Sequence, residues 1–444
     1  MDIHHIHAGV NVATFMIFPD GTTMLIDCGD LDVPKFNKKY GKETATSPKL
    51  SVVSPYPNAS KTTGQWVTDY IYHFWPDNVK NNLRKVIDIL MITHFHQDHI
   101  GSIFSSDEKQ KKGKRGDYIL TGLVEVGDEI DFTTIIDRGY PKYDFPFDLE
   151  KEYQFLNYLN FIRTSLHRGT TKAVEKFEVG SYTQIGLRKI ENESASNTRP
   201  FGHFVIRNIK ANLGYSYATP SDHEVYTIPG RLLHPAPDRK SGYKFDENKL
   251  STAILVEYGK FRYYEGGDQE YHDFGPSKKT NGNGSQYELD TVTPTAEMAG
   301  PVHVATLNHH GHGVLKSFCD IMNPKVLILQ GWCTDQPPDH SMETLWQQKE
   351  SADLFATWVS EERVKELRKR KKKRVHDMFK STVGHVVVRV EPPPNEGSDA
   401  GDHEQRNNDE TLPHNPDEDI RQKYHVYILD GNRQVNKYFG PYEA

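Results

Sequence analysis

The chain predicts an α/β domain whose chemistry gathers at one sheet edge, and three features support this. Val86 to Ile92 is apolar except for Asp88, the pattern of a strand buried on both faces, and it breaks at Thr93 into His94, His96, Asp98 and His99. Pro301 to Leu307 reads as a second short strand, and it too ends in histidines, at His309, His310 and His312. Ahead of the first strand, Trp66, Val67, Tyr70, Ile71 and Phe74 recur at helical spacing, so a helix leads into the strand.

The bulk properties narrow the class. A chain of 444 residues can bury a sizeable core as one large domain or two smaller ones. Its net charge of −7 offers no general attraction to nucleic acid or to acidic membranes, so any affinity for phosphates must be local. Cys28, Cys319 and Cys333 have no metal-finger spacing and are too sparse for a disulfide framework, which fits buried thiols in a reducing compartment. No basic-then-apolar leader and no apolar run of membrane-spanning length is present, so a soluble cytoplasmic protein with no membrane partner is expected.

Taken in order, Thr14 to Gly29 predicts two strands around an Asp20 and Gly21 turn, with Asp27 and Asp30 at the strand end. Such carboxylates can orient a histidine ligand or cap their own turn, and both readings stay open. Residues 31 to 63 read as a loop, and the helix and buried strand follow. Residues 102 to 230 read as a long insertion beside the active edge, with a helix over Glu150 to Leu166 and a hairpin over Glu178 to Lys189. Arg138, Tyr140, Tyr143, Phe145 and Phe147 are its candidate pocket-wall residues, with core packing the stronger reading for the aromatics. Asn248 to Asp268 predicts a hairpin around Gly259 and Lys260 that delivers Asp268 after two glycines. Lys325 to Gly331 is another buried-type strand, followed by a loop with Asp339 and His340 and a helix from about Met342. Val359 to Phe379 reads as one amphipathic helix carrying the cations Arg368 to Arg374, a solvated face or a local patch for a phosphate backbone. Residues 392 to 420 are acidic and low in apolar residues, which predicts disorder, and the C-terminal stretch returns as a strand.

Three imidazoles and a carboxylate within six residues are the donors that zinc and other borderline divalent ions take, and a surface turn seldom gathers so many. The pattern His94, His96, Asp98, His99 after a buried strand resembles the signature of the metallo-β-lactamase superfamily. The opening Gly9 to Gly29, Asp268, Asn308 to Gly311, and Asp339 to Ser341 follow in the order found in the soluble domain of ComEC-type DNA-uptake proteins and in phosphorylcholine esterases. One departure is the run from Gly9 to Val12, where ComEC-type chains place an aspartate.

The resemblance implies an αββα sandwich over residues 1 to 391 with two metals at one sheet edge. His94, His96 and His234 would hold the first ion, with His203 or His223 as substitutes for His234. Asp98, His99 and either His309 or His310 would hold the second, His310 being favoured by the glycine after it, and Asp268 would bridge. His309 and His340 would then face substrate, and Asp98 would count as catalytic as well as ligating. The ions expected are zinc, with manganese as the other fit. A pair of such ions acidifies a bound water toward neutrality, so the implied activity is hydrolysis by metal-bound hydroxide. A phosphodiester, with nuclease or phosphodiesterase action and nucleic acid held by Arg368 to Arg374, is the first expectation. A small thioester, lactone or amide is the second, and a metal-stabilised protein that binds without turnover is the third.

Overall fold

The computed structural model describes residues 1–44, 49–76, 85–104, 110–145, 148–189, 203–216, 225–227, 247–274, 287–347, 352–369, 373–394 and 421–444. The chain opens with β1 (Asp2–His5), β2 (Thr14–Ile17) and β3 (Thr23–Ile26), and Gly21 takes the positive φ that turns the second strand into the third. Then come α1 (Val33–Tyr40), α2 (Thr63–His73), β4 (Val86–Met91), the short α3 (Gln97–Ile100), α4 (Gly122–Glu129), β5 (Asp131–Asp137), α5 (Tyr153–His167) and β6 (Ala173–Lys176). The middle supplies β7 (Phe204–Ala211), β8 (Gly214–Ser216), β9 (Val225–Thr227), β10 (Ala253–Tyr258), β11 (Phe261–Glu265), and the separate pair β12 (Tyr271–Phe274) and β13 (Tyr287–Asp290). Next are α6 (Val292–Ala299), β14 (Val304–Thr306), α7 (Lys316–Met322), β15 (Val326–Leu329), α8 (Asp339–Gln347), β16 (Asp353–Ala356), α9 (Glu361–Lys369), α10 (Lys373–Met378) and β17 (Phe379–Ser381). The chain closes with β18 (His385–Val390), β19 (Lys423–Leu429) and β20 (Val435–Glu443).

Among the described residues these strands form two mixed sheets, ordered β20-β19-β18-β1-β2-β3-β4-β5-β6 and β17-β16-β15-β14-β11-β10-β7-β8-β9. The alternation of side chains along each strand explains how they stack. In β10, Ile254 and Val256 join a core between the sheets with Ile89, Met91 and Met24, while Ala253 and Leu255 point outward. The outward face of this second sheet is covered by Val292 and Ala296 of α6 and by Phe318 and Met322 of α7. On the other side, Leu25, Leu90 and Ile135 of the first sheet pack under Val67 and Ile71 of α2, Leu123 of α4, and Leu159 and Ile162 of α5. The result is an αββα sandwich, two mixed sheets packed face to face with helices on both outer faces. Strands covered on both faces are largely apolar, which is why β15 reads as an unbroken hydrophobic run and β4 as one interrupted only by Asp88. Among the described residues no helix is long and apolar enough to cross a membrane.

Several expectations change. The stretch read as a loop contains α1, started by Asp32, whose side chain accepts from Lys35 N at 3.0 Å. Within the stretch read as an insertion, the described residues include strands of the sandwich itself: β5 and β6 extend the first sheet in parallel with β4, and β7 pairs with β10 in the second. β5 begins and ends in aspartate and carries two threonines, which hides a buried strand in a sequence window. No hairpin forms over 178 to 189, where Gln184 and Ser181 instead hold a turn through Glu178 N and Gln184 N. The single helix expected over 359 to 379 is two helices, α9 and α10, and Phe379 already belongs to β17. α8 starts at Asp339, earlier than expected, and the C-terminal return is a hairpin of two strands. Most of the acidic stretch expected to be disordered, residues 395–420, lies outside the described residues.

Candidate metal centre

The strands β3, β4 and β5 are parallel neighbours in one sheet, and β11, β14 and β15 are parallel neighbours in the other. Parallel strands end together, so the segments after them meet at one edge. From the first sheet come Asp27 and the turn His94 to His99, and from the second come Asp268, His309, His310 and Gln330. Main-chain bonds fix the two turns of the first sheet to one another: Cys28 N donates to His99 O at 2.9 Å and Asp30 N to Gln97 O at 3.0 Å. Gly29 makes this approach possible, because a Cβ there would stand 1.7 Å from the Asp98 carbonyl oxygen. The Gly9 to Val12 loop contributes a backbone contact, Val12 N to Asp98 O at 3.0 Å.

Asp268 sits at the centre. Its Oδ2 lies 3.3 Å from His99 Nε2, 3.3 Å from His310 Nε2 and 3.8 Å from His94 Nε2. Asp98 Oδ2 lies 2.9 Å from His310 Nε2 and 3.7 Å from His99 Nε2. The donors fall into two groups that share Asp268: one of Asp98, His99, Asp268 and His310, the other of His94, His96 and Asp268, with the donor atoms of each within 4.8 Å of one another. Two ligands held at about 2 Å by one tetrahedral ion stand about 3.3 Å apart, so these separations fit divalent metal. The Nε2 atoms of His94 and His99 are buried with no hydrogen-bond partner among the described residues, an arrangement that a metal ligand explains.

The other face of each ring is already engaged. His99 Nδ1 donates to Asp27 Oδ2 at 2.8 Å, and Thr93 donates to the same carboxylate through its N–H at 2.8 Å and its hydroxyl at 2.6 Å. His310 Nδ1 donates to Gln330 O at 2.9 Å, and His94 Nδ1 lies 3.1 Å from Thr93 Oγ1. These contacts leave Nε2 of each ring facing Asp268, the orientation that a carboxylate or carbonyl behind a ligating histidine enforces. Of the two options for Asp27, orienting a histidine is the one present. Asp30 instead accepts from Leu31 N at 2.9 Å in its own turn.

Electrostatics follow from packing acids and bases together out of water. Burial alone would raise the Asp268 carboxyl, but His310, His99 and His309 hold it well below the usual range; His99 and His310 do the same for Asp98. Burial would depress His310, yet Asp268 and Asp98 push it up to about 10, and His99 rises as well. His94, deeper and beside His99, is pushed down, chiefly by burial.

The remaining predicted residues divide. His309 is part of the edge but turns differently from His310: its Nδ1 lies 3.1 Å from Glu270 Oε2, and its Nε2 lies 3.0 Å from Asn248 Nδ2 and 4.0 Å from Asp268 Oδ2. Both histidines adopt left-handed backbone angles, φ 51° and 50°, which splays the adjacent rings apart. His340 is exposed at the rim and donates from Nε2 to His312 O at 3.0 Å. His234 and His223 lie outside the described residues, and His203 is exposed at the start of β7 beside the Gly259 turn, away from the centre. Within Arg368 to Arg374, Arg368 donates from Nε to His376 Nε2 at 2.9 Å, and residues 370–372 lie outside the described residues. Tyr143 is buried, with its hydroxyl on Asp137, and Phe145 is exposed; Phe147 lies outside the described residues.

Sequence reasoning missed a clamp on Phe95, the residue between His94 and His96. Phe95 N donates to Glu247 Oε1 at 3.2 Å, and Glu247 is held in a two-pronged pair by Arg138 at 2.6 and 2.7 Å. The Arg138 guanidinium also lies over the Phe95 ring at 4.8 Å, with Phe155 and Tyr158 packed against the same ring. Arg138 is therefore a buried tether rather than a pocket wall. Trp332, whose Nε1 lies 3.2 Å from His310 Nε2, was also missed. No local pattern marks either residue.

No protein-family model matches the chain, and no curated protein matches it. Among solved structures, CmlA, a diiron β-hydroxylase from Streptomyces venezuelae, is similar at 13% identity over 74% of this chain and 44% of that one, with a TM-score of 0.30. A mutant of CmlA β-hydroxylase matches at 14% identity over 74% and 45%, with a TM-score of 0.31. The chain thus spans less than half the length of these structures.

Proposed function

We propose that the chain is a binuclear metal-dependent hydrolase acting on a phosphodiester. The observation that carries this reading is the single oxygen, Asp268 Oδ2, that faces imidazole nitrogens from both donor groups. His94, His96 and Asp268 would hold one ion, and Asp98, His99, His310 and Asp268 the other; imidazole with carboxylate suits zinc, and manganese second. Bound there, two divalent ions polarise a substrate oxygen and lower the pKa of water toward neutrality. The chain's own part is to fix the donors, through Asp27, Thr93 and Gln330, and to hold a proton beside the reacting atoms. His309 is the residue for that proton: Glu270 backs its Nδ1, and Nε2 faces the Asp268 side of the site. Asp98 acts through the metal it would hold, and His340 at the rim is in reach of a substrate arm rather than of the centre.

The test is metal content by elemental analysis with turnover of bis-p-nitrophenyl phosphate. Two ions per chain with phosphodiester cleavage are expected. Two ions with cleavage only of a neutral thioester, lactone or amide would replace the substrate class, and two ions with no turnover of any would leave a binding protein.

A further inference from the structure

The rim beside His310 continues outward as a row of aromatic rings. Trp332 stands 5.5 Å from the His310 ring, Phe36 stands 5.9 Å from Trp332, and Tyr40 stands 4.9 Å from Phe36. Phe36 and Tyr40 are one helical turn apart on α1, so they share a face of that helix. Trp332 and Phe36 are half-buried, and Tyr40 is 39% exposed, a large apolar ring left toward solvent. Around them α1 carries Lys35, Lys38 and Lys39 and no acidic residue. All three lysines are exposed and make no ion pair among the described residues, and Lys39 Nζ lies over the Tyr40 ring at 4.4 Å. In a chain of net charge −7, three exposed cations with no ion-pair partner among the described residues, beside a row of rings that begins at a candidate metal ligand, are a local exception.

We infer that α1 and Trp332 form the binding shelf for a single-stranded nucleic acid, whose phosphodiester backbone it feeds to the metal centre. The inference rests on the proposed phosphodiesterase reading and names the substrate class of that site. Rings in succession accept unpaired bases by stacking whatever their sequence, and lysines alongside neutralise the phosphates between them. A duplex keeps its base faces covered, so the rings favour a single strand. The shelf takes over the role expected of Arg368 to Arg374, and its helix α1 lies within residues 31 to 63, the stretch that the sequence presents as a loop.

The experiment is fluorescence anisotropy of a labelled phosphorothioate oligothymidylate of about ten nucleotides, which resists cleavage, on the metal-loaded full chain. In the triple variant Lys35→Gln, Lys38→Gln, Lys39→Gln, affinity should fall at least about tenfold at low salt, and the slope of log affinity against log salt should shrink by about 2. Tyr40→Ala should weaken binding by about tenfold with the salt slope unchanged. A matched control, Lys112→Gln, Lys260→Gln, Lys437→Gln, removes the same charge elsewhere; an equal loss in that control would overturn the shelf, as would no binding of the oligonucleotide by wild type. Binding of phosphatidylserine vesicles in place of the oligonucleotide would overturn it in favour of a lipid surface. Turnover of bis-p-nitrophenyl phosphate by wild type separates the two readings. With turnover present and oligonucleotide affinity indifferent to the shelf variants, the shelf falls and the hydrolase stands. With turnover absent and affinity lost in the variants, the shelf stands and the hydrolase falls.

Discussion

Asp268 and Asp98 differ in how many donor groups they serve, and that difference predicts distinct losses. Asp268 belongs to both groups and Asp98 to one. Asp268→Ala should therefore reduce both ions and abolish turnover, whereas Asp98→Ala should leave one ion per chain and still abolish turnover; elemental analysis beside a circular-dichroism melt checks that neither chain unfolds. Retained turnover in either variant would remove the centre assigned here. Behind the ligands, Asp27→Asn keeps the shape but weakens the pull on His99 Nδ1. Removing such an orienting partner lowers metal affinity about 10- to 100-fold, measurable by competition with a chromogenic chelator. His309 and His310 illustrate the same scale: adjacent residues of one type have different partners, Glu270 for one and Gln330 for the other, because two successive left-handed residues turn their rings apart.

Two elements hold the His94 to His99 turn in place from outside it. The first is the buried pair of Arg138, from the end of β5, and Glu247, just ahead of β10, which grips Phe95 N. Arg138→Met leaves the Glu247 carboxylate buried without its partner and should destabilise the chain by about 3–5 kcal/mol. The double variant Arg138→Met, Glu247→Gln should recover much of that stability in urea melts, yet keep a lowered metal affinity because the turn has lost its anchor. The second is the segment from β3 to α1, whose close pass over α3 depends on Gly29. Gly29→Ala must displace the Asp98 backbone, so the loss of the ion that Asp98 and His99 would hold should exceed the loss at His94 and His96, read as one ion where two are expected in wild type. α1 itself is launched from this segment by the Asp32 cap, which couples the position of the aromatic shelf to that of the centre.

At the scale of the whole molecule, the sandwich buries an acid and base cluster at the place where its two sheets meet, and pH acts on it with a definite sign. In the metal-free chain, His310 is pushed up to about 10 and His99 is raised, against an ordinary value near 6.5. Their contribution to stability is fully present below about pH 6.5 and is lost as pH rises through about 10. Asp98 and Asp268 are depressed, so their contribution is present above the ordinary carboxyl range and is lost as pH falls through their lowered values. Metal requires neutral imidazoles and replaces the protons, so its protection grows over the window in which the metal-free chain weakens. The melting temperature with chelator should fall from pH 6.5 to 10, and the gap to the metal-loaded protein should widen. A gap that narrows with pH would argue against His99 and His310 as ligands.

By itself the sequence determined the α/β class and most of the edge: His94 to His99 after β4, Asp268 after two glycines, and His309 with His310 after β14. These were legible because strands buried on both faces are largely apolar, and a sudden group of imidazoles and carboxylates at their ends is a local pattern. Local patterns carry no information about partners far along the chain. Which of two adjacent histidines turns inward, that Asp27 backs His99 across 72 residues, and that Glu247 anchors Phe95 across 152 residues were decided only when the two sheets packed. The same holds for β5, whose polar ends and threonines conceal its burial, and for α1, whose one half-buried ring, Phe36, gains its meaning from Trp332 nearly three hundred residues away. Spacing reports the faces of single elements, whereas contact across the sandwich depends on how those faces close over one another.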